Sequence, residues 1–305
     1  MYLKRHLFEA VMKTIEGIGL GLRHDLAEAL LERRPDEVRW LEIHPENYVA
    51  RGGLFAQNLE RAMESWRLVP HGLSLCLGTV TPFDEPYKRQ LAGLLDRIDA
   101  PWYSDHLCFA DVDGSFLHDL LPLPFSKETV QTVKERVDEV QQAIGRPVAV
   151  ENISYYADPA PRRGWTEPEF LCEVLDAADC KLLLDVNNIY VNSRNHGFDP
   201  RPYIDALPYE RVVQMHVAGH FTRKDALIID THGEPVCDGV FDLLEYTLER
   251  TGPKPVLLER DQNIPPLDEL LAEVRQLSEI YERATAAHES RDPKSRVPKS
   301  RDAAE

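Results

Sequence analysis

Seven residues able to bind a metal or carry a proton each end a short apolar run: His44, His71, His106, Glu151, Asp185, His216 and Glu259. Four of these runs are almost purely apolar. Val-Ala-Val precedes Glu151, Leu-Leu-Leu precedes Asp185, Val-Val-Gln-Met precedes His216 and Val-Leu-Leu precedes Glu259. Carboxylates gathered in an apolar setting repel one another, and desolvation penalises each ion further. A cation converts that repulsion into coordination. Ordinary ion pairing with Arg23, Arg260 or Lys181 is the plain alternative. One such pair is commonplace, but recurrence at four successive runs points to a metal centre.

The imidazoles extend the pattern. His71 and His106 end neighbouring runs just ahead of Glu151. A single histidine is usually a structural hydrogen-bonding group, whereas two beside a carboxylate read as ligands. Asp230-Thr-His232 offers a third cluster, together with Asn187 or Asn188. Three clusters imply more than one ion, with Glu151 able to bridge two through its two oxygens. Imidazole and carboxylate without thiolate suit iron, manganese or zinc. Magnesium and calcium would take oxygen ligands alone.

The runs themselves are Ile18–Arg23, Val38–His44, Arg67–His71, Trp102–His106, Val148–Glu151, Leu182–Asp185, Val212–His216 and Val256–Glu259. They are continuous rather than alternating, as in parallel strands buried on both faces. Between them lie stretches of helical periodicity: Asp25–Arg34, Leu54–Trp66, Tyr87–Ile98, Lys127–Ile144, Val240–Arg250 and Leu267–Arg283. Thr166-x-x-Glu169 reads as a capping box opening a helix through Ala178, and Asp199–Leu207 is a shorter candidate. Strand–helix alternation repeated eight times predicts a (β/α)8 TIM barrel, with chemistry at the C-terminal ends of the strands. We expect one barrel domain over 1–283 and a polar, disordered tail over 284–305.

Composition sets the outer limits. The chain has 305 residues, with 35 basic and 52 acidic side chains giving a net charge of -17. That sign disfavours nucleic acid. No apolar run is long enough to span a membrane. Five cysteines, Cys76, Cys108, Cys172, Cys180 and Cys237, include no Cys-x-x-Cys pair, which argues for the cytoplasm. We expect Cys76 and Cys108 to be packing residues. Gly17-Ile-Gly-Leu-Gly lacks the spacing of a dinucleotide fingerprint and is expected to admit close packing. Arg23 could bind a peptide carboxylate or pair with Glu42 or Glu46, and Glu46-Asn47-Tyr48 could line a groove or hold its loop.

Several motifs together resemble one family. They are Gly17-Ile-Gly-Leu-Gly-Leu-Arg23, His44-Pro-Glu-Asn-Tyr48, His71-Gly-Leu-Ser-Leu-Cys-Leu-Gly78, Ser104-Asp-His-Leu-Cys-Phe109 and Glu151-Asn-Ile-Ser-Tyr-Tyr156. Asp185-Val-Asn-Asn-Ile-Tyr-Val-Asn192, His216-Val-Ala-Gly-His220, Asp230-Thr-His-Gly233 and Leu258-Glu-Arg-Asp261 complete the set. The chain thereby resembles the multinuclear non-haem iron-dependent oxidative enzymes (MNIO), also known as domain-of-unknown-function family 692. The resemblance implies a xylose-isomerase-like barrel holding two or three iron ions of mixed valence, with dioxygen as co-substrate. It implies oxidative modification of cysteine in a ribosomally made precursor peptide, often delivered by a leader-binding partner protein. Carried over by motif, one iron would sit among Glu151, Asp185, His216 and Glu259, and a second among His71, His106 and Glu151. A third would use Asp230, His232 and an asparagine, with Asn188 favoured over Asn187. His220 and Asn188 are the expected catalytic groups. The residues alone leave open a zinc or manganese barrel isomerase or phosphodiesterase, and a non-catalytic metal-binding scaffold.

Overall fold

All eight apolar runs form strands of one parallel sheet. They are β1 (Ile18–Gly21), β2 (Trp40–Ile43), β3 (Leu68–Pro70), β4 (Tyr103–His106), β5 (Val148–Glu151), β6 (Lys181–Asp185), β7 (Val212–Ala218) and β8 (Val256–Glu259). The computed structural model describes residues 15–112, 115–157 and 164–291. The sheet order is β3-β2-β1-β8-β7-β6-β5-β4. A parallel bridge between His71 and Ser104 joins its two edges, so the sheet nearly closes into a barrel.

Nine described helices surround it: α1 (His24–Arg33), α2 (Gly53–Met63), α3 (Glu85–Arg97), α4 (Lys127–Ile144), α5 (Glu167–Ala178), α6 (Val186–His196), α7 (Pro200–Asp205), α8 (Asp238–Thr251) and α9 (Leu267–Arg291). Local sequence explains several of their ends. The Ser126 hydroxyl accepts from the Thr129 N–H to open α4, and Gly145 closes it in the left-handed region. Thr166 and Glu169 form the expected capping box of α5.

Apolar residues fill two shells. Outward-facing strand residues such as Leu41, Val150 and Leu184 pack against the helices. Inward-facing Trp40, Val69, Trp102, Ala149, Leu183 and Leu257 plug the lower barrel. Gly19 leaves room for this plug, since a Cβ there would lie 2.5 Å from the Trp40 indole. A Cβ on Gly21 would lie 2.7 Å from the Arg23 guanidinium. These two glycines serve close packing, as expected.

Three features differ from the expectation. First, α6 starts directly after Asp185, where the asparagine-rich sequence gave no helical signal. Tertiary hydrogen bonds settle the conformation there: Asn192 Nδ2 donates to the Ile153 carbonyl and Asn188 Nδ2 to the Asn152 carbonyl. Second, hairpins follow β4 (Cys108–Val112 with Ser115–Pro122) and β7 (Phe221–Thr222 with Ile228–Ile229). Third, α9 runs past residue 283 to Arg291. Ala284 is fully buried, and His288 Nδ1 donates to the Glu249 carbonyl at 3.0 Å. The remainder of the expected tail, 292–305, lies outside the described residues.

Candidate metal centre

Strand pleating places the polar residues. Two positions beyond Ala149, Leu183 and Leu257 come Glu151, Asp185 and Glu259, on the same inward face. Two beyond Val69 comes His71. The apolar plug is therefore overlaid by a polar layer at the C-terminal ends of the strands. Its members are almost wholly buried: Glu151 2%, Asp185 0%, His216 0%, His71 1% and Glu259 4% exposed.

Three donor groups converge among the described residues: His71–His106–Glu151, Glu151–Asp185–His216 and Asp185–His232–Glu259. Within each, the donor atoms lie within 4.8 Å of one another. Glu151 belongs to the first two and Asp185 to the last two, so the groups form a chain. Glu259, expected beside His216, lies 3.1 Å from its Nδ1 and also 3.4 Å from His232 Nδ1.

Hydrogen bonds set the tautomers. His71 Nδ1 lies 3.0 Å from Ser104 Oγ, whose own proton goes to the Pro70 carbonyl. Ser104 must therefore accept, and His71 Nε2 is left bare, 3.2 Å from Glu151 Oε2. His216 Nε2 donates to Glu42 Oε2 at 2.8 Å, which leaves Nδ1 facing Glu151 and Glu259. A carboxylate on the far nitrogen is the usual device for orienting a metal-binding imidazole. His106 Nε2 lies 3.3 Å from Glu151 Oε2.

The charges are strained. Burial and the neighbouring imidazoles hold His71 well below its ordinary range. Burial also opposes the charge on His106, but Glu151, Asp105 and Glu259 together overcome it and push His106 up to about 9. His216 and His232 rise well above the usual range, burial again being overcome by Glu42 and Glu259 around the former and by Glu259 and Asp230 around the latter. Burial, Glu151 and Asp230 push the Asp185 carboxyl well up. Burial is likewise overcome at Glu259, where His232 and His216 hold the carboxyl well down.

These residues fit a metal. Asp185 Oδ2 and Asn188 Oδ1 are buried without a hydrogen-bond partner, and Glu151 Oε2, His216 Nδ1, His232 Nε2 and Glu259 Oε2 are buried, close to other site groups but without an aligned hydrogen bond. Each such atom ordinarily costs about 1–3 kcal/mol. Cations shared along the chain would satisfy them together.

Other expected site residues are placed differently. Asp230 lies outside the three groups, though its Oδ1 is 2.8 Å from His232 Nε2. Asn187 is fully engaged, donating to Asp230 and accepting from His220. Asn188 is buried and keeps its Oδ1 free. His220 stands apart, with its Nε2 3.9 Å from Cys237 Sγ. Arg23 pairs with Asp261 at 2.7 Å and lies 3.6 Å from both Glu42 and Glu259. Glu46 is a loop-holding residue, accepting from the Leu73 N–H, Ser74 Oγ and Tyr87 Oη. Cys76 and Cys108 pack with Ala110 and Ile153.

Comparison with known proteins agrees with the barrel. A xylose isomerase domain protein from Planctomyces limnophilus superposes with a TM-score of 0.57 at 13% identity, covering 89% of this chain and 98% of that one. Endonuclease IV from Thermus thermophilus gives 0.58 at 14% identity, covering 88% and 99%. These likenesses establish a xylose-isomerase-like TIM barrel. In sequence, the UPF0276 protein PA3283 of Pseudomonas aeruginosa is 44% identical over 274 residues, covering 90% of this chain and 95% of the relative. A UPF0276 protein of Shewanella loihica is 41% identical over 266 residues, covering 87% and 95%. The profile of the RiPP precursor modification enzymes MbnB/TglH/ChrH matches residues 17–282, and with the site built as above the chain belongs to that family.

Proposed function

We propose that this enzyme uses two or three iron ions and dioxygen to modify a cysteine in a ribosomally made precursor peptide. The observation that carries this reading is the chain of three donor groups joined through Glu151 and Asp185. His71, His106 and Glu151 would hold one ion, and Glu151, Asp185, His216 and Glu259 a second. His232 would hold a third with Asp185, Glu259 or Asp230, and Asn188 Oδ1 is the spare oxygen donor nearby in sequence. Bound iron would supply the redox step with dioxygen and the affinity for a substrate thiolate.

The chain's own residues do the rest. Ser104 and Glu42 fix the imidazole tautomers of His71 and His216. The Trp40–Trp102 plug closes the barrel below the site and keeps water out from that side. Peptide recognition falls to the mouth. Leu54, Leu73, Val80, Tyr156 and Phe221 are the exposed large apolar residues among those described, and all lie on segments that follow a barrel strand. Exposed apolar side chains on these segments would meet the peptide or a leader-binding partner protein at the mouth. All five cysteines are unpaired, in keeping with a cytoplasmic enzyme.

The test is metal content. Protein purified anaerobically without added metal should hold two or three irons per chain by elemental analysis, with a mixed-valence Mössbauer signature. One zinc or manganese and no retained iron would sink the oxidative reading and favour an isomerase or phosphodiesterase.

A further inference from the structure

We propose that Cys237, His220 and Asn187 form a second, nucleophilic site, which takes a disulfide of the peptide substrate by thiol–disulfide exchange. The choice of substrate rests on the cysteine-peptide reading above; the geometry of the array stands independently of it. Cys237 is a partly exposed free thiol at the N-cap of α8, and its side chain makes no capping hydrogen bond. Its Sγ lies 3.9 Å from His220 Nε2, and His220 Nδ1 lies 2.8 Å from Asn187 Oδ1. A nucleophile, a base and a group that orients the base are thus in series. Cysteine, histidine and asparagine fill the same three roles in papain-like proteases.

The proton positions follow from the network. Asn187 Nδ2 donates to Asp230 Oδ1 at 2.7 Å. Turning that amide over would set two acceptor oxygens against each other. Asn187 Oδ1 therefore faces His220 and can only accept, so the His220 proton sits on Nδ1. Nε2 carries the lone pair and faces the thiol. The ring is held in plane by stacking on Tyr190, at 5.3 Å between centroids and 23° between planes. Tyr190 reaches this position because residue 239 is glycine, where a Cβ would lie 2.6 Å from its ring. Burial lowers the basicity of His220, which keeps it neutral and able to accept a proton near neutral pH.

In the exchange, Cys237 passes its proton to His220 Nε2 as Sγ attacks one sulfur of the substrate disulfide. The substrate S–S bond breaks as the new one forms. The leaving thiolate takes the proton from His220. One disulfide is consumed and one is made, so no oxidant or reductant is required. Asn187 also touches Asp230, which lies 2.8 Å from His232. The array would therefore release a peptide thiol beside the candidate metal centre while holding the other half on Cys237.

Oxidised glutathione is a suitable probe, applied to the protein as purified, under nitrogen at neutral pH. Mass spectrometry with peptide mapping reads the glutathione adduct at each cysteine. Cys172, which is partly exposed and donates to the Ala206 carbonyl, is the internal control. Cys237 should react at least roughly tenfold faster than Cys172. His220→Gln should remove that advantage without changing Cys172, and Cys237→Ser should abolish the fast adduct. Equal rates at the two cysteines in the unmodified protein would overturn the proposal, as would an undiminished rate in His220→Gln. The exchange needs neither metal nor dioxygen, so its failure is distinguishable from failure of the iron reading, which the metal count reports separately.

Discussion

Glu42 controls the site from behind. It is fully buried, holds His216 Nε2 at 2.8 Å and belongs to none of the three donor groups. Glu42→Gln should weaken metal binding by roughly 10- to 100-fold. The new amide could donate to Nε2 and force the imidazole proton onto Nδ1, the atom that faces Glu151 and Glu259. Chelator competition measures the loss, and a melting temperature within a few degrees of the parent shows the fold intact; unchanged affinity would remove Glu42 from the orienting role. A second prediction concerns protons. Without metal, the raised His106, His216 and His232 imidazoles and the raised Asp185 carboxyl favour their protonated forms, which offset the buried carboxylates. Metal binding must expel such protons, so affinity should rise as pH rises through about 9, where His106 titrates. Calorimetry in buffers of different ionisation enthalpy should show more than one proton released per chain; no release would contradict these assignments. Glu42 was legible but missed. Two positions beyond inward-facing Trp40, it has the parity of Glu151 and Glu259. Glu151, Asp185 and Glu259 end their apolar runs, whereas on β2 the run continues past Glu42 to His44.

Asp185 serves an element as well as the site. Its Oδ1 accepts from the Asn188 N–H at 2.6 Å to cap α6, while Oδ2 stays unpartnered between two donor groups. Asp185→Asn keeps a capping oxygen and removes a carboxyl that is costly in this setting. The metal-free variant should melt at or above the parent temperature while losing metal from both groups. Asp185→Ala should lose the cap as well, about 1 kcal/mol, and melt lower. Thermal unfolding and metal analysis of the pair separate the roles, and a melting temperature for Asp185→Asn well below that of Asp185→Ala would refute the division. The strands were legible because runs such as Leu182–Asp185 and Val256–Glu259 are buried on both faces and need no alternation. The helix after Asp185 was not, because asparagine favours turns and caps; it forms through hydrogen bonds to Ile153 and Asn152 that are distant in sequence. Asp230 and His232 are visible as a pair in the sequence, but the third donor group joins His232 to Asp185 and Glu259 instead, a juxtaposition that only barrel closure creates.

At the scale of the molecule, α9 closes the barrel's helical ring and ties its last described turns to α8. Arg283 pairs with Glu245, Arg291 with Glu249, and the buried Ala284 lies between these two ties to α8. The ion pairs are exposed and individually worth little. Ala284 and the His288 hydrogen bond are the larger loss, because they seal the last turns against α8. Removing 292–305 should leave the melting temperature and metal content unchanged. Removing 284–305 should lower the melting temperature by several degrees, as a loss of about 1–2 kcal/mol does in a domain of this size. Metal content should survive both truncations, because β8 and Glu259 precede α9 and the donor groups are held by the strands. A shorter chain that lost metal before it lost stability would mean that the C-terminal helix supports the mouth directly, and that the barrel and its site are less separable than the packing implies.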